Sequence, residues 1–213
     1  MPDRKGWGAL RLWNDEEIAP NAGFPLLACA DVEIIIYVRE GTVTHRDSLG
    51  NEDRIEAGNV QVISGGGMGI RHAEYNLEQA PARIFQIWIA PGSPGGSAAW
   101  GAQPCPATGR AGDFVAIASG FDSDEDALPI RAPARVLNIR LKAGQSIEHT
   151  LRRPRLAYLV PSSGTIDVNG VTIQARDGAA VRDVATVRIT AIEDADIVMA
   201  DVPANADRCN HDS

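Results

Sequence analysis

The sequence predicts an all-β protein built from two similar barrels, and three observations support this. Short runs rich in Val, Ile and aromatic residues recur along the 213 residues, while helical periodicity is hard to find. Turn residues separate these runs: Gly50-Asn51 and Asn169-Gly170 can adopt the positive φ that tight hairpins require. Finally, the two halves of the chain resemble each other.

The internal similarity consists of short matches that lie about 121 residues apart. A duplicated β-barrel explains such a repeat most simply. Closing a sheet removes exposed strand edges and leaves an interior in which side chains can surround a small ligand or a metal. The matching pairs are Ala22-Gly23 with Ala143-Gly144, Tyr37-Val38 with Tyr158-Leu159, Gly41-Thr42-Val43 with Gly164-Thr165-Ile166, and Ala57-Gly58 with Asp177-Gly178.

Composition divides the chain into four predicted segments. An N-terminal barrel covers residues 1–100 and a C-terminal barrel covers residues 113–203. Residues 101–112 are predicted to connect them, because the stretch around them is rich in Gly, Pro, Ala and Ser with nothing periodic to bury. Residues 204–213 are predicted to form a flexible tail, in which Cys209 and His211 are not expected to hold a metal.

Charge and hydropathy exclude several classes of function. The net charge of −8 argues against direct nucleic-acid binding, which depends on clustered Lys and Arg. No stretch approaches the roughly 20 apolar residues that cross a bilayer, and the start lacks the apolar core of a signal peptide. We therefore predict a cytoplasmic protein without a membrane partner. Three widely spaced cysteines without a CxxC pattern argue against a disulfide framework, so none is predicted.

Two segments of the first half carry the most informative motifs. Residues 37–51 are YVREGTVTHRDSLGN, and residues 58–76 are GNVQVISGGGMGIRHAEYN. Together with GALRLWND at residues 8–15 and QIWIAP at residues 86–91, they resemble the pirin family of bicupins. The resemblance implies two double-stranded β-helix (jelly-roll-like) barrels. It also implies a single metal, usually iron, held in the first barrel by two histidines of an HPH segment and by the His and Glu of an HxE segment.

The second half of that ligand set is present here. His72 and Glu74 match the HxE segment, and at positions i and i+2 of a strand they point to the same face. The first half is altered, because Leu27 and Cys29 stand where the family has its two histidines. Leucine offers no lone pair, so the predicted metal set contains at most Cys29, His72 and Glu74. A thiolate ligand suits Zn²⁺ or Cu(I) better than an iron that activates oxygen.

Other interpretations of these residues stay open. A buried small hydrophobic residue in the barrel wall is the favoured interpretation of Cys29. His72 and Glu74 can form an internal hydrogen-bonded pair without any metal. A Cys29–His72 couple of nucleophile and base is a third alternative, although nothing in the sequence activates it. The expected cofactor is therefore none, or a weakly bound divalent metal, Fe or Zn.

Further candidate residues receive structural interpretations. The Gly-rich residues 65–69 precede strand-like rather than helical sequence, which predicts a tight turn and not a phosphate loop. His45 is expected to be exposed in a hairpin and His149 to lack companions, so neither is predicted to bind metal. The four indoles are expected to seal contacts within barrels or between lobes. They are Trp7, Trp13, Trp88 and Trp100.

The family resemblance implies two activities: oxidative ring cleavage of flavonols such as quercetin, and regulation through binding another protein. Loss of two family ligands weakens the first activity, because it needs a metal with open positions. The favoured hypothesis is a small-ligand-binding or regulatory protein without efficient dioxygenase activity. The expected partners are a small apolar or aromatic molecule and another protein. The alternative is a metal-dependent quercetin 2,3-dioxygenase-like oxidoreductase, with Glu74 as its candidate catalytic residue.

Overall fold

The computed structural model describes residues 6–106 and 113–204. Within these ranges the chain forms nineteen strands and no α-helix, which confirms the all-β prediction. No helix in the described ranges is long and apolar enough to cross a membrane. The strands are β1 (Leu10–Ile18), β2 (Ala22–Cys29), β3 (Glu33–Glu40), β4 (Thr42–Asp47), β5 (Glu52–Glu56), β6 (Asn59–Ser64), β7 (Ile70–Asn76), β8 (Ala82–Ile89), β9 (Ala99–Pro104), β10 (Val115–Ser119), β11 (Leu128–Pro129), β12 (Arg135–Leu141), β13 (Ser146–Thr150), β14 (Arg155–Ser163), β15 (Ile166–Val168), β16 (Val171–Ile173), β17 (Ala179–Val181), β18 (Thr186–Ala191) and β19 (Ala195–Pro203).

The first barrel consists of two antiparallel sheets. One has the strand order β1-β8-β3-β6-β9 and the other the order β2-β7-β4-β5. Strand β3 is apolar on both faces for a simple reason: Ile34 and Ile36 face the barrel interior, while Ile35 and Tyr37 face the other lobe. Because successive side chains of a strand point to opposite sides, a strand between two cores must be hydrophobic at nearly every position.

The second barrel repeats eight of these nine strands in the same arrangement. Its sheets contain β12-β19-β14-β17 and β13-β18-β15-β16, which correspond to β1-β8-β3-β6 and β2-β7-β4-β5. The repeat extends to single turn residues: Gly41 and Gly164 both have positive φ, +73° and +75°. A Cβ on Gly41 would lie 2.7 Å from the Pro81 carbonyl oxygen, and one on Gly164 would lie 2.2 Å from that of Asp194. The internal repeat predicted from the sequence therefore corresponds to a structural duplication.

Three hydrophobic cores hold the molecule together. One lies inside each barrel, and the third lies between the lobes, where both barrels contribute buried side chains. Trp7 and Trp13 pack against the core between the lobes, and Trp88 and Trp100 pack against the core of the first barrel. The structure thus confirms the sealing role predicted for the indoles. The Gly-rich residues 65–69 form a turn between β6 and β7, also as predicted.

The connection between the barrels differs from the prediction at its start. Strand β9 pairs with β6 and extends the first sheet to Pro104, four residues into the segment 101–112 that was expected to be a connection. The physical reason is that β6 would otherwise present an open edge, which β9 covers. The rest of the predicted connection, residues 107–112, and the tail with Cys209 and His211 lie outside the described residues.

Candidate metal centre

Three polar side chains meet inside the first barrel. His45 comes from β4, and His72 and Glu74 come from the neighbouring strand β7, where Glu74 lies directly opposite His45. One potential ligand atom from each residue lies within 4.8 Å of the other two. The three side chains are almost fully buried, with relative exposures of 0% for His45, 2% for His72 and 1% for Glu74. Burial of this kind requires partners for every polar atom.

Glu74 is the centre of the hydrogen-bond network. His72 Nδ1 lies 3.0 and 3.1 Å from its two carboxylate oxygens, and His45 Nδ1 lies 3.3 Å from Oε1. The other nitrogen of His45, Nε2, lies 3.2 Å from Asp47 Oδ2. His72 Nε2 is buried and has no hydrogen-bond partner among the described residues. We name these three residues, His45, His72 and Glu74, the His-Glu cluster.

Trp100 covers the cluster from β9. Its indole stacks on the His45 imidazole with ring centroids 4.8 Å apart and planes 8° from parallel. The indole nitrogen donates a hydrogen bond to Gln61 Oε1 at 2.8 Å. An indole N–H can only donate, so this contact fixes the orientation of the Gln61 amide and thereby the position of the Trp100 ring. Trp100 and Gln61 together hold His45 in place.

The electrostatics favour a charged His72–Glu74 pair. Burial alone would raise the pKa of Glu74, but hydrogen bonds from His45 and His72 bring it below its ordinary value of 4.5. Burial alone would lower the pKa of His72, but the nearby Cys29 thiol and the Glu74 carboxylate raise it to about 9. The imidazolium and the carboxylate therefore stabilise each other near neutral pH.

His45 corrects the sequence analysis. It was expected to be exposed and without a role in metal binding, but its exposure is 0% and it faces His72 and Glu74. The reason is strand alternation: Val43 and His45 lie two residues apart on β4 and share the face that packs into the barrel. The hairpin turn begins only after Asp47, so the motif HRDS starts inside the barrel and ends outside it.

Strand β2 contributes none of the three cluster residues, although the Cys29 thiol lies close enough to His72 to raise its pKa. Leu27 lies opposite His72, but its side chain is 47% exposed, and Cys29 lies opposite Ile70. The Cys29 thiol is buried and donates to the Ile70 carbonyl oxygen at 3.7 Å. Of the predicted set Cys29, His72 and Glu74, the structure brings the last two together and places His45, not Cys29, with them.

His149 has a different environment in the second barrel. Its Nε2 lies 3.0 Å from Asp201 Oδ2, and its ring meets the edge of Phe114. Among residues 6–106 and 113–204, the His-Glu cluster is the one group of three or more His, Cys, Asp or Glu with metal-ligand geometry. The second barrel therefore offers no comparable group within its described part.

The residues of the His-Glu cluster fit a divalent metal. Two imidazoles and one carboxylate form the donor set that non-haem Fe(II) and related metals accept. A second observation supports a metal at this site. The Nε2 atom of His72 is buried and has no hydrogen-bond partner among the described residues, and a bound metal would provide one. Asp47 would hold the imidazole of His45 in one orientation, as carboxylates do for ligating histidines.

Two repeated jelly-roll barrels with a His-Glu cluster inside the first one define a bicupin. Comparison with known families then identifies the family. The model described as Pirin matches residues 2–89, and the model described as Quercetinase C-terminal cupin domain matches residues 116–202. The chain belongs to the pirin family.

Individual relatives agree with this assignment. A pirin-like protein of Caulobacter vibrioides is 56% identical over 94% of this chain and 86% of its own length. A quercetin 2,3-dioxygenase of Escherichia coli K12 is 30% identical over 95% of this chain and 86% of its own length. Among solved structures, the bacterial pirin YhhW of Escherichia coli in complex with nickel(II) superposes with a TM-score of 0.88 at 30% identity, covering 95% of this chain and 86% of that one.

Proposed function

We propose that this pirin-family bicupin is a binding or regulatory protein whose first barrel holds one divalent metal ion weakly through His45, His72 and Glu74, without efficient turnover of a flavonol. The observation that carries this proposal is the composition of the site. Strand β2 supplies Leu27 and Cys29 where the family resemblance places two histidines, and neither belongs to the buried cluster. Three potential ligands remain, and the Glu74 carboxylate is already engaged in hydrogen bonds with the imidazoles of His45 and His72.

Weak binding follows from competition within the cluster. To bind a cation, the Glu74 carboxylate must give up its contacts with the two imidazoles, and His72 must lose the proton that its raised pKa of about 9 retains. Metal binding therefore releases a proton and gains strength as the pH rises. The crystal structure of the relative YhhW with nickel(II) supports Ni²⁺ as a suitable probe for this chain.

Inefficient turnover follows from access to the cluster. A metal held there would act as a Lewis acid and would need open positions for oxygen and substrate. The three side chains are 0–2% exposed, and Trp100 stacks directly on His45. A flavonol could reach the cluster from this side only if Trp100 moved away, and that movement would break the hydrogen bond from Trp100 to Gln61.

A second candidate function is a metal-dependent quercetin 2,3-dioxygenase. One specific observation favours it: two histidines and one carboxylate are a ligand set typical of non-haem iron oxygenases. The name of the Escherichia coli relative at 30% identity points the same way. In that case Glu74, besides holding the metal, is the candidate catalytic residue.

Oxygen uptake distinguishes the two functions. The purified protein is stripped with EDTA, loaded separately with Fe²⁺ or Ni²⁺, and supplied with quercetin in an oxygen electrode. The Escherichia coli quercetin 2,3-dioxygenase serves as the positive control. Metal content is measured in parallel by plasma mass spectrometry. We expect bound metal in substoichiometric amounts and oxygen uptake at background; uptake comparable to that of the control would overturn the proposal and establish the second candidate.

The variant Leu27→His, Cys29→His provides the matched gain-of-ligand test. If β2 occupies the family position of the two histidines, restoring them is expected to tighten Ni²⁺ binding by at least about tenfold, since two additional imidazoles complete the ligand set. Unchanged Ni²⁺ affinity in this double variant would show that side chains at positions 27 and 29 of β2 do not reach the metal. The cytoplasmic location and the protein partner expected from the sequence stay predictions.

A further inference from the structure

A second candidate site lies at the junction of the two barrels, away from the residues of the His-Glu cluster. A cavity of about 170 Å³ opens there between the segment before β1 and the strands β14 and β17. Three aromatic side chains, Trp7, Trp13 and Tyr158, are among the residues that line it. We name this cavity the aromatic groove. The residues that line it are Gly6, Trp7, Leu10, Arg11, Leu12, Trp13, Tyr158 and Ala180.

The Trp7 wall of the groove is fixed to the second lobe. Its indole nitrogen donates to the Ala157 carbonyl oxygen at 3.1 Å. Gly8 makes this close approach possible, because its φ is +61° and a Cβ there would lie 2.3 Å from the Pro203 carbonyl oxygen. The wall is therefore held by both its own hydrogen bond and the backbone of the adjacent turn.

The opposite wall is an aromatic stack. The Trp13 ring packs between Phe85 and Tyr158, with centroid distances of 5.5 and 5.3 Å. Interplanar angles of 56° and 52° leave the rings tilted, which is a preferred geometry of aromatic pairs. The groove therefore presents preformed aromatic surfaces from both lobes, which is the usual character of a small-molecule site.

The rim of the groove is positively charged. Arg11 is exposed, and within the described part of the chain no carboxylate lies within ion-pair distance of it. The Arg182 guanidinium lies 5.7 Å from the centre of the Trp7 ring, but it is paired with the Asp183 carboxylate at 3.6 Å and adds no net charge to the rim. No acidic residue lines the groove, although the whole chain has a net charge of −8.

Size, aromatic walls and charge together define the ligand. An apolar cavity of about 150 Å³ accommodates one benzene ring, so this groove has room for a single ring but not for a three-ring flavonol. We propose that the aromatic groove binds a single-ring aromatic carboxylate, with its ring against Trp7 and Trp13 and its carboxylate at Arg11. This site is independent of the His-Glu cluster and of any metal.

The first test compares matched probes on the EDTA-treated full-length protein. Benzoate, benzylamine and cyclohexanecarboxylate are titrated while ligand saturation transfer is recorded by NMR. Benzoate is expected to bind. Benzylammonium is expected to bind at least about tenfold more weakly, because it carries the charge of the rim, and cyclohexanecarboxylate about threefold more weakly, because it lacks a π system. Absence of benzoate binding, or equal binding of benzylammonium, would overturn the proposal.

Variants locate the binding on the molecule. Arg11→Gln is expected to weaken benzoate binding about tenfold and Arg11→Lys by less, since the lysine retains the charge but not the bidentate geometry. Ala180→Trp is expected to abolish binding by filling the groove. Both positions are exposed, so folding should be unaffected, which thermal unfolding verifies.

Two controls complete this design. Arg54→Gln removes an exposed arginine on β5 and is expected to leave benzoate affinity unchanged. Arg46→Gln removes a second exposed arginine, on β4, and is also expected to leave it unchanged. If benzoate binds Ala180→Trp as well as it binds the wild type, or if Arg46→Gln abolishes binding, the assignment to the aromatic groove is wrong.

Discussion

At equivalent positions inside the two barrels, the first has polar side chains and the second has apolar ones. In the first barrel the pair β4 and β7 carries the His-Glu cluster, with His45 opposite Glu74. In the second barrel the corresponding pair β15 and β18 has Val168 opposite Ile189. Two residues earlier on the same strands, His72 of β7 is equivalent to Val187 of β18. The apolar residues at these positions are 0–4% exposed and belong to the hydrophobic core of the second barrel.

This comparison teaches that the fold does not need the cluster. The second barrel closes and packs with three aliphatic side chains where the first has three polar ones, so the polar set is not required for stability. Buried ionic groups are often no better for stability than well-packed hydrophobic residues, while half of such a group is strongly destabilising. Retention of the complete set in the first barrel therefore supports a binding role.

The largest effect is expected from replacing residues of the His-Glu cluster in the first barrel by the aliphatic residues that occupy the equivalent positions in the second. Glu74→Ile alone removes the carboxylate that both imidazoles contact and should cost about 3–5 kcal/mol of unfolding free energy. The triple variant His45→Val, His72→Val, Glu74→Ile copies the second barrel and should recover most of that loss. Urea unfolding at pH 7 with EDTA measures both. A triple variant as unstable as the single one would contradict the equivalence of the two barrels.

The next largest effect is a pH dependence of the unfolding free energy, which the His72–Glu74 pair gives to the first barrel and which the apolar second barrel lacks. The raised pKa of His72 means that its stabilising contribution is complete below about pH 6.5 and is lost as the pH rises through about 9. The lowered pKa of Glu74 means that its contribution is complete above about pH 4.5 and is lost on acidification. The metal-free protein should therefore lose stability on the order of 2 kcal/mol between pH 6.5 and 9.

The control for this pH dependence is His72→Gln, which removes the titrating group and should flatten the profile over the same range. Urea unfolding at several pH values provides the measurement. If the wild type and His72→Gln show the same slope between pH 6.5 and 9, the charged His72–Glu74 pair does not exist in the folded protein.

Strand β9 is a further difference between the barrels. It covers the edge of β6, whereas β17, which is the counterpart of β6 in the second barrel, is the last strand of its sheet. Trp100→Ala removes the ring stacked on His45 and should cost about 2 kcal/mol, less than a fully buried aromatic would, since Trp100 is partly exposed. Trp100→Phe retains a stacking ring and should cost less. Chemical unfolding quantifies both, and equal losses would argue against stacking as the stabilising contact.

The smallest effect tests the repeat itself. Gly41→Ala and Gly164→Ala should each cost about 1–2 kcal/mol, because both residues have positive φ and face backbone atoms of the same barrel. Gly50→Ala is the matched control: its φ is +92°, but no atom lies within 4 Å of an added Cβ, so the cost should be smaller. Clearly different losses at Gly41 and Gly164 would show that the two turns are not equivalent.

Much of the fold could be predicted from the sequence because local and long-range signals agree. Alternating and continuous β-rich runs, Gly-containing turns and the repeat at about 121 residues all predict a duplicated barrel. His72 and Glu74 could be paired because their spacing along one strand places them on one face. These are properties of neighbouring residues, which a sequence displays directly.

The rest depends on contacts between distant segments. His45 escaped prediction because its position beside Arg46 and Asp47 suggested a turn, whereas the alternation with Val43 was the signal that places it inside. The pairing of β9 with β6 and the stacking of Trp100 on His45 cannot be derived from a Gly- and Pro-rich stretch. The aromatic groove likewise requires both lobes, since Trp13 and Tyr158 are far apart along the chain.

A calorimetric titration of the EDTA-stripped protein with Ni²⁺ tests the central claim most directly. The wild type is compared with the triple variant His45→Val, His72→Val, Glu74→Ile, whose first barrel copies the apolar second one. We predict weak binding of one ion per wild-type chain, tightening as the pH rises, and no binding to the variant. Absence of binding to the wild type, or equal binding to both proteins, would contradict the assignment of a metal centre to the His-Glu cluster.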